Sequence, residues 1–137
     1  MIDSEIQSIA SLIYEPGEYF EFGCDEGDAS KFVKVANEMF PDKPYCVARG
    51  WVIWDAIVTE EQRQALKTIN IQPVFVYVNF VIEDQYGYLN SGHFRRSTAL
   101  VEMIQPCFFV TRNTVYVLVG PGTRKDVNHT DVFAIYF

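Results

Sequence analysis

Apolar positions along the chain change period about a third of the way in. Residues 2–13 carry Ile2, Ile6, Ile9, Leu12 and Ile13, the stripe of an amphipathic helix. Asp3 and Glu5 suit its first turn, and Pro16-Gly17 ends it. Tyr19, Phe20 and Phe22 form an aromatic patch ahead of an acidic loop, Gly23 to Asp28. A second helical stripe follows in Phe32, Val33, Val35, Ala36, Met39 and Phe40, with Asp28 or Ser30 as its cap and Pro41 as its stop. From there the pattern turns extended. Pro44 to Asp55 reads as a strand in which Gly50 marks a bulge or turn. Thr59-Glu60-Glu61-Gln62 has the form of a capping box and opens a short helix to about Thr68, with Leu66 inward.

Pro73 to Glu83 is apolar on both faces, as a central strand requires. A loop spans Asp84 to Phe94, and Arg95 to Ile104 reads as a further strand, with helix as the alternative. Cys107–Val110 and Val115–Val119 predict a hairpin turned at Thr111–Thr114, where Asn113 suits a left-handed conformation. This hairpin is the expected centre of the sheet. Gly120-Pro121-Gly122 stops it, Asp126 to Thr130 reads as a turn, and Val132 to Phe137 as a last strand paired inside the sheet. Helices first and strands afterwards predict an α+β fold. It has a mainly antiparallel sheet and two or three helices, the N-terminal ones packed on one face.

Composition narrows the class. At 137 residues with 49% hydrophobic and 21% charged positions, one globular domain covering 1–137 is expected. No apolar run reaches the roughly 20 residues of a membrane helix. The acidic start lacks the basic region of a secretory signal, so a cytoplasmic protein is expected. The net charge of −7 argues against direct nucleic-acid binding. That charge is divided. Residues 1–30 hold eight acids and no Lys or Arg, whereas 91–125 hold Arg95, Arg96, Arg112, Arg124 and Lys125 against Glu102 alone. Either the two segments face each other, or they are separate faces for separate partners.

Candidate chemistry is thin. Cys24, Cys46 and Cys107 are odd in number and contain no CxxC pair, which argues against a disulfide framework and a zinc site. Cys46 and Cys107 lie in apolar strands. Cys24 lies among carboxylates, which disfavour its thiolate. The 23–28 loop lacks the alternating acids of a calcium-binding EF-hand. His93 and His129 belong to no HxH or HExxH pair. Gly120 to Lys125 lacks Walker spacing. Arg95, Arg96, Arg112, Arg124 and Lys125 would form an anion site only if their loops converged, and Arg112 has the alternative of tying its turn to a carbonyl or carboxylate. Trp51 and Trp54 are read as core. No catalytic residue, cofactor or metal is assigned.

The stretch from Phe109 to Lys125, FVTRNTVYVLVGPGTRK, with RRST at 95–98, resembles a family of small phage and prophage proteins of Pseudomonas-like bacteria, defined only as a domain of unknown function. The resemblance runs from about Val74 onward and supplies no catalytic residues. It implies an accessory protein acting inside a bacterial cell by binding a host protein, a defence component among the candidates. The expectation is therefore a non-catalytic binder whose acidic face, Glu18, Glu21, Asp25, Glu26 and Asp28, meets that host protein. The alternatives are a small nucleotide- or phosphate-binding enzyme using the basic loops, and a homodimer built through the apolar sheet edge.

Overall fold

The computed structural model describes residues 10–86 and 92–132. Residues 10–14 are helical; the rest of the expected 2–13 helix lies outside the described residues. The chain then runs β1 (Glu18–Phe20), a 3-10 turn (Glu26–Asp28), α1 (Ala29–Met39), β2 (Tyr45–Ile57), α2 (Glu60–Thr68) and β3 (Val74–Asp84). It continues with β4 (Arg95–Arg96), β5 (Leu100–Ile104), β6 (Phe108–Thr111), β7 (Val115–Val119), β8 (Gly122–Asn128) and α3 (His129–Val132).

The sheet is mixed, which corrects the expectation of a mainly antiparallel one. β2 pairs antiparallel with β3 along one edge and parallel with two strands along the other. Tyr45–Arg49 lie beside β7, and Val52–Ile57 lie beside β8. The change of partner falls at Gly50, whose φ of 64° is open to glycine at little cost. Its carbonyl accepts a bond from the Asn79 carboxamide at 3.0 Å. The centre of the sheet is thus β2 and not the β6–β7 hairpin, because among the described residues only β2 has three strand partners. The hairpin itself forms as expected, with Phe108 opposite Val117 and Val110 opposite Val115. Its turn is closed differently. Asn113 is not left-handed; the Thr111 hydroxyl donates to Asn113 Oδ1 at 2.9 Å and accepts the Thr114 N–H at 3.1 Å.

The sheet also curls on itself. The expected strand 95–104 is two short strands. β4 pairs with β3, Leu100 bridges Gln72 just before β3, and β5 pairs with β6. One crossing segment therefore joins the two far sides. Inside the curl pack Ala48, Trp51, Ile53, Val76, Val78, Phe109, Tyr116 and Leu118. Trp51 is 1% exposed, and its indole N–H donates to the Gly120 carbonyl at 3.0 Å. Gly122 crosses that ring so closely that a Cβ there would lie 2.2 Å from it. Trp54 stacks on Tyr77 with ring centroids 5.2 Å apart. Both tryptophans are core, as expected.

The helices do not share one face. α1 covers one outer side with Phe32, Val33 and Val35 on Val110, Val115 and Val117. Leu12 and Ile13 cover another, on Trp54, Phe75 and Tyr77. β8 corrects two expectations, since residues 122–128 were read as a basic loop and a polar turn. Val127 is its single buried residue, so its strand pattern is weak. α3 begins where Asn128 Oδ1 accepts the Thr130 N–H at 3.1 Å, an Asx cap. Val132 thus ends a helix rather than opening a strand, and 133–137 lie outside the described residues.

Candidate functional site

The thiols are held against chemistry. Cys46 and Cys107 are fully buried and Cys24 is 7% exposed. Burial pushes the Cys46 thiol up from 9.0 to about 12 and raises Cys107 as well. Cys24 is raised first by burial and then by Asp28 and Asp25. Cys24 and Cys107 also share a side-chain hydrogen bond, a proximity that their spacing in the chain conceals. A nucleophile needs the thiolate, and all three sites oppose it. Among the described residues no group of three His, Cys, Asp or Glu is placed to hold a metal ion.

The acidic segment is ordered by alternation. Phe22 and Cys24 are buried, and Phe20 and Phe22 meet the Trp51 ring edge-on at 6.4 and 6.1 Å. Backbone bonds pin the same residues: Gly23 N–H to Pro106 O at 2.7 Å, Cys24 N–H to Leu118 O at 3.0 Å. With alternate side chains turned inward, Glu21 is directed outward. Asp25, Glu26 and Asp28 follow on the 3-10 turn, and Glu18 sits on β1; all five are exposed. Among the described residues, the one ion pair these five make joins Glu26 to Arg49 at 3.6 Å, both half-exposed.

The five basic candidates go to separate duties. Arg95 pairs with Asp84 at 3.5 Å and lies over the Tyr116 ring. Arg96 lies over Phe75 and donates to the Ser97 carbonyl at 3.0 Å; burial lowers its pKa. Arg112 donates to the Ile69 carbonyl at 2.7 Å, the tie expected of it. Arg124 forks onto Asp55 with two bonds of 2.7 Å and covers Phe20. Lys125 donates to the Ser11 carbonyl at 3.1 Å and the Glu15 carbonyl at 2.5 Å. Among the described residues, the N-terminal segment is thus held to β8 by these two carbonyls and by the pairing of β1 with β8. His129 Nδ1 lies 3.2 Å from the Ile57 carbonyl, while His93 is exposed at the far end of β3, with its carbonyl accepting from Val81.

One concavity was not legible in the sequence. Between α2 and the outer sheet lies a cavity of about 500 Å³. Ala56, Pro73 and Phe75 line it from the sheet, Gln62, Ala65 and Leu66 from α2, Arg96, Thr98 and Ala99 from the β4–β5 crossing, and His129 from α3. α2 forms because its capping box is complete: Gln62 N–H donates to Thr59 Oγ1 at 3.1 Å, and Thr59 N–H donates to Gln62 Oε1 at 2.9 Å. Yet no residue of α2 is buried. Its inner side covers the cavity instead of filling a core. The lining comes from segments scattered over seventy residues, and no local pattern links them.

The family model described as Domain of unknown function (DUF6957) matches residues 21–134, reaching well before Val74. No curated protein and no solved structure matches the chain. No helix among the described residues is long and apolar enough to cross a membrane.

Proposed function

The chain belongs to the DUF6957 family, and we propose that it works without catalysis, by binding another protein through the acidic segment of Glu18, Glu21, Asp25, Glu26 and Asp28. The observation that carries this reading is the contrast between the two charged segments. The cations of 95–125 are taken up by carbonyls, carboxylates and rings of the fold. The five carboxylates stand exposed on a backbone fixed by Phe20, Phe22 and Cys24. A rigid array of like charges gives a partner orientation and fast encounter at little ordering cost. Glu21 to Asp28 also lie within the matched family range. The context implied by the resemblance, a phage or prophage protein acting on a host factor in the cytoplasm, makes a basic host protein the partner.

The test is capture from host-cell lysate with an N-terminally tagged protein beside a variant in which Glu18, Glu21, Asp25 and Glu26 are changed to Gln or Asn. One dominant partner, lost in the variant while its melting curve is unchanged, is the expected result. Capture that survives the variant places the interface elsewhere. Weakening of capture by salt is the second expected signature, since surface charge attraction is screened within about 10 Å at 0.1 M.

A further inference from the structure

We propose that the cavity beneath α2 is a second, separate binding site, for an uncharged apolar molecule with one hydroxyl, a lipophilic phenol or alcohol, whose O–H donates to His129. Size comes first. About 500 Å³ falls within the range of ligand sites, roughly 300–1,000 Å³. It is far larger than a packing defect, which in a folded core seldom exceeds a water molecule. The wall is chiefly Ala56, Val58, Ala65, Leu66, Pro73 and Phe75, which favours a hydrocarbon body.

Polarity then narrows the ligand. An ion taken out of water has to be paired, and the described lining offers a new ion little. It holds no Asp or Glu for a cation. Its one guanidinium, Arg96, is taken up by the fold, lying over the Phe75 ring and donating to the Ser97 carbonyl at 3.0 Å. An uncharged ligand leaves those contacts as they are. His129 supplies the polar contact. Its Nδ1 lies 3.2 Å from the Ile57 carbonyl. A carbonyl can only accept, so Nδ1 holds the proton, and in the neutral ring Nε2 is an acceptor. Among the described residues the ring makes no other hydrogen bond or ion pair. With the Nδ1 edge turned to the end of β2, the Nε2 edge is the one open to a ligand. Gln62 differs: its Oε1 accepts the Thr59 N–H, so its carboxamide offers the cavity donors alone. A hydroxyl satisfies the imidazole by donating, whereas an ether of the same shape cannot. Helix α2 supplies the means of entry. It is capped from its own sequence and buries none of its residues, so it can lift without opening the core. None of the described lining residues belongs to the 18–28 segment, so this site and the protein-binding face stand or fall separately.

The test is calorimetric titration of the whole protein with para-pentylphenol, para-pentylanisole and para-pentylbenzoate, on the wild type, His129→Phe and Ala65→Phe, each variant's melting curve being recorded beside it. Saturable binding of the phenol at one per chain is expected. The anisole keeps the shape and lacks the donor, so it should bind about threefold to tenfold more weakly, the loss of one neutral hydrogen bond. The benzoate should bind more weakly than the phenol as well. In His129→Phe the phenol and the anisole should bind alike, a loss of preference that a merely structural role for the imidazole would not produce. Ala65 is an exposed helical position that lines the cavity, so the added ring of Ala65→Phe fills the space without disturbing the interior and abolishes binding. Equal binding of phenol and anisole by the wild type, or a preference that survives His129→Phe, overturns the role of His129. Should a variant melt early, the wild-type comparison still decides that role. Benzoate binding tighter than the phenol overturns the uncharged ligand. Binding unchanged in Ala65→Phe overturns the location, and no binding of any probe overturns the site. If chain mass in solution doubles and the doubling is lost in Ala65→Phe, the cavity is filled by a second copy and the small-ligand assignment fails.

Discussion

Helices α1 and α2 are held by opposite means. α1 has no side-chain bond at its N-cap, Asp28, yet Ala36 is 2% exposed and Phe32 meets Phe108 edge-on at 6.0 Å. α2 has both bonds of a capping box and no buried residue. The first is a tertiary structure that happens to be helical; the second is a local structure that happens to lie on a protein. Burial of one or two large side chains outweighs a cap severalfold, about 2–3 kcal/mol each against about 1. α1 is therefore expected to melt with the sheet, and α2 to open independently of it.

Breaking α1 should do the most. Ala36→Asp places a carboxylate against Val47, Val110 and Val117 and should cost about 3 kcal/mol or more, read as a large fall in denaturation midpoint. Phe32→Ala should cost about 2 kcal/mol, less than a full core deletion because the ring is only partly buried. Alkaline pH probes the sheet behind α1. Cys46 titrates near 12 in the fold against 9.0 when free, and Tyr116 is raised the same way, both chiefly by burial. Their contribution is whole below pH 9 and declines as pH rises from there toward 12, because the unfolded chain releases those protons first. A denaturation series between pH 8 and 11 should show falling stability, with α1 lost in the same transition. Thr59→Ala should have the smallest global effect, about 1 kcal/mol confined to α2. Hydrogen exchange should quicken at residues 60–68 and stay unchanged in α1. Equal quickening in both helices would break the contrast.

What was readable from the sequence follows the same division. The capping box at Thr59–Gln62, the stripe of α1, the apolar run of β3 and the β6–β7 hairpin are all local, and all are present. The turn at Thr111–Thr114 was placed correctly, but its closure by two side chains was not. β8 escaped because its polar residues Thr123, Arg124 and Lys125 find their partners in Gly17, Asp55 and the 11–15 backbone, far away in the chain. The parallel pairing of β2 escaped for the same reason: hydrophobic alternation fixes which face of a strand is buried, not which strand lies beside it. At the candidate sites, the acidic run was legible as charge, but the burial of Phe22 and Cys24 that directs Glu21 outward was not, because Cys24 sits in what reads as an acidic loop. The cavity was not legible either, since Ala56, Leu66, Phe75, Arg96 and His129 meet only after the sheet has curled.

The double partnership of β2 also imposes a timetable on the chain. Tyr45 waits for Val115 and Val52 waits for Thr123, so while the ribosome works through the intervening stretch the strand has β3 alone beside it. Pairings this distant in sequence close slowly. Until they do, the opposite edge of β2, with Val47, Ile53 and Trp54 along it, is an open hydrogen-bonding template. A nascent chain of this design is vulnerable to association or to a chaperone's grip during synthesis, and becomes self-sufficient only when β8 has cleared the exit tunnel.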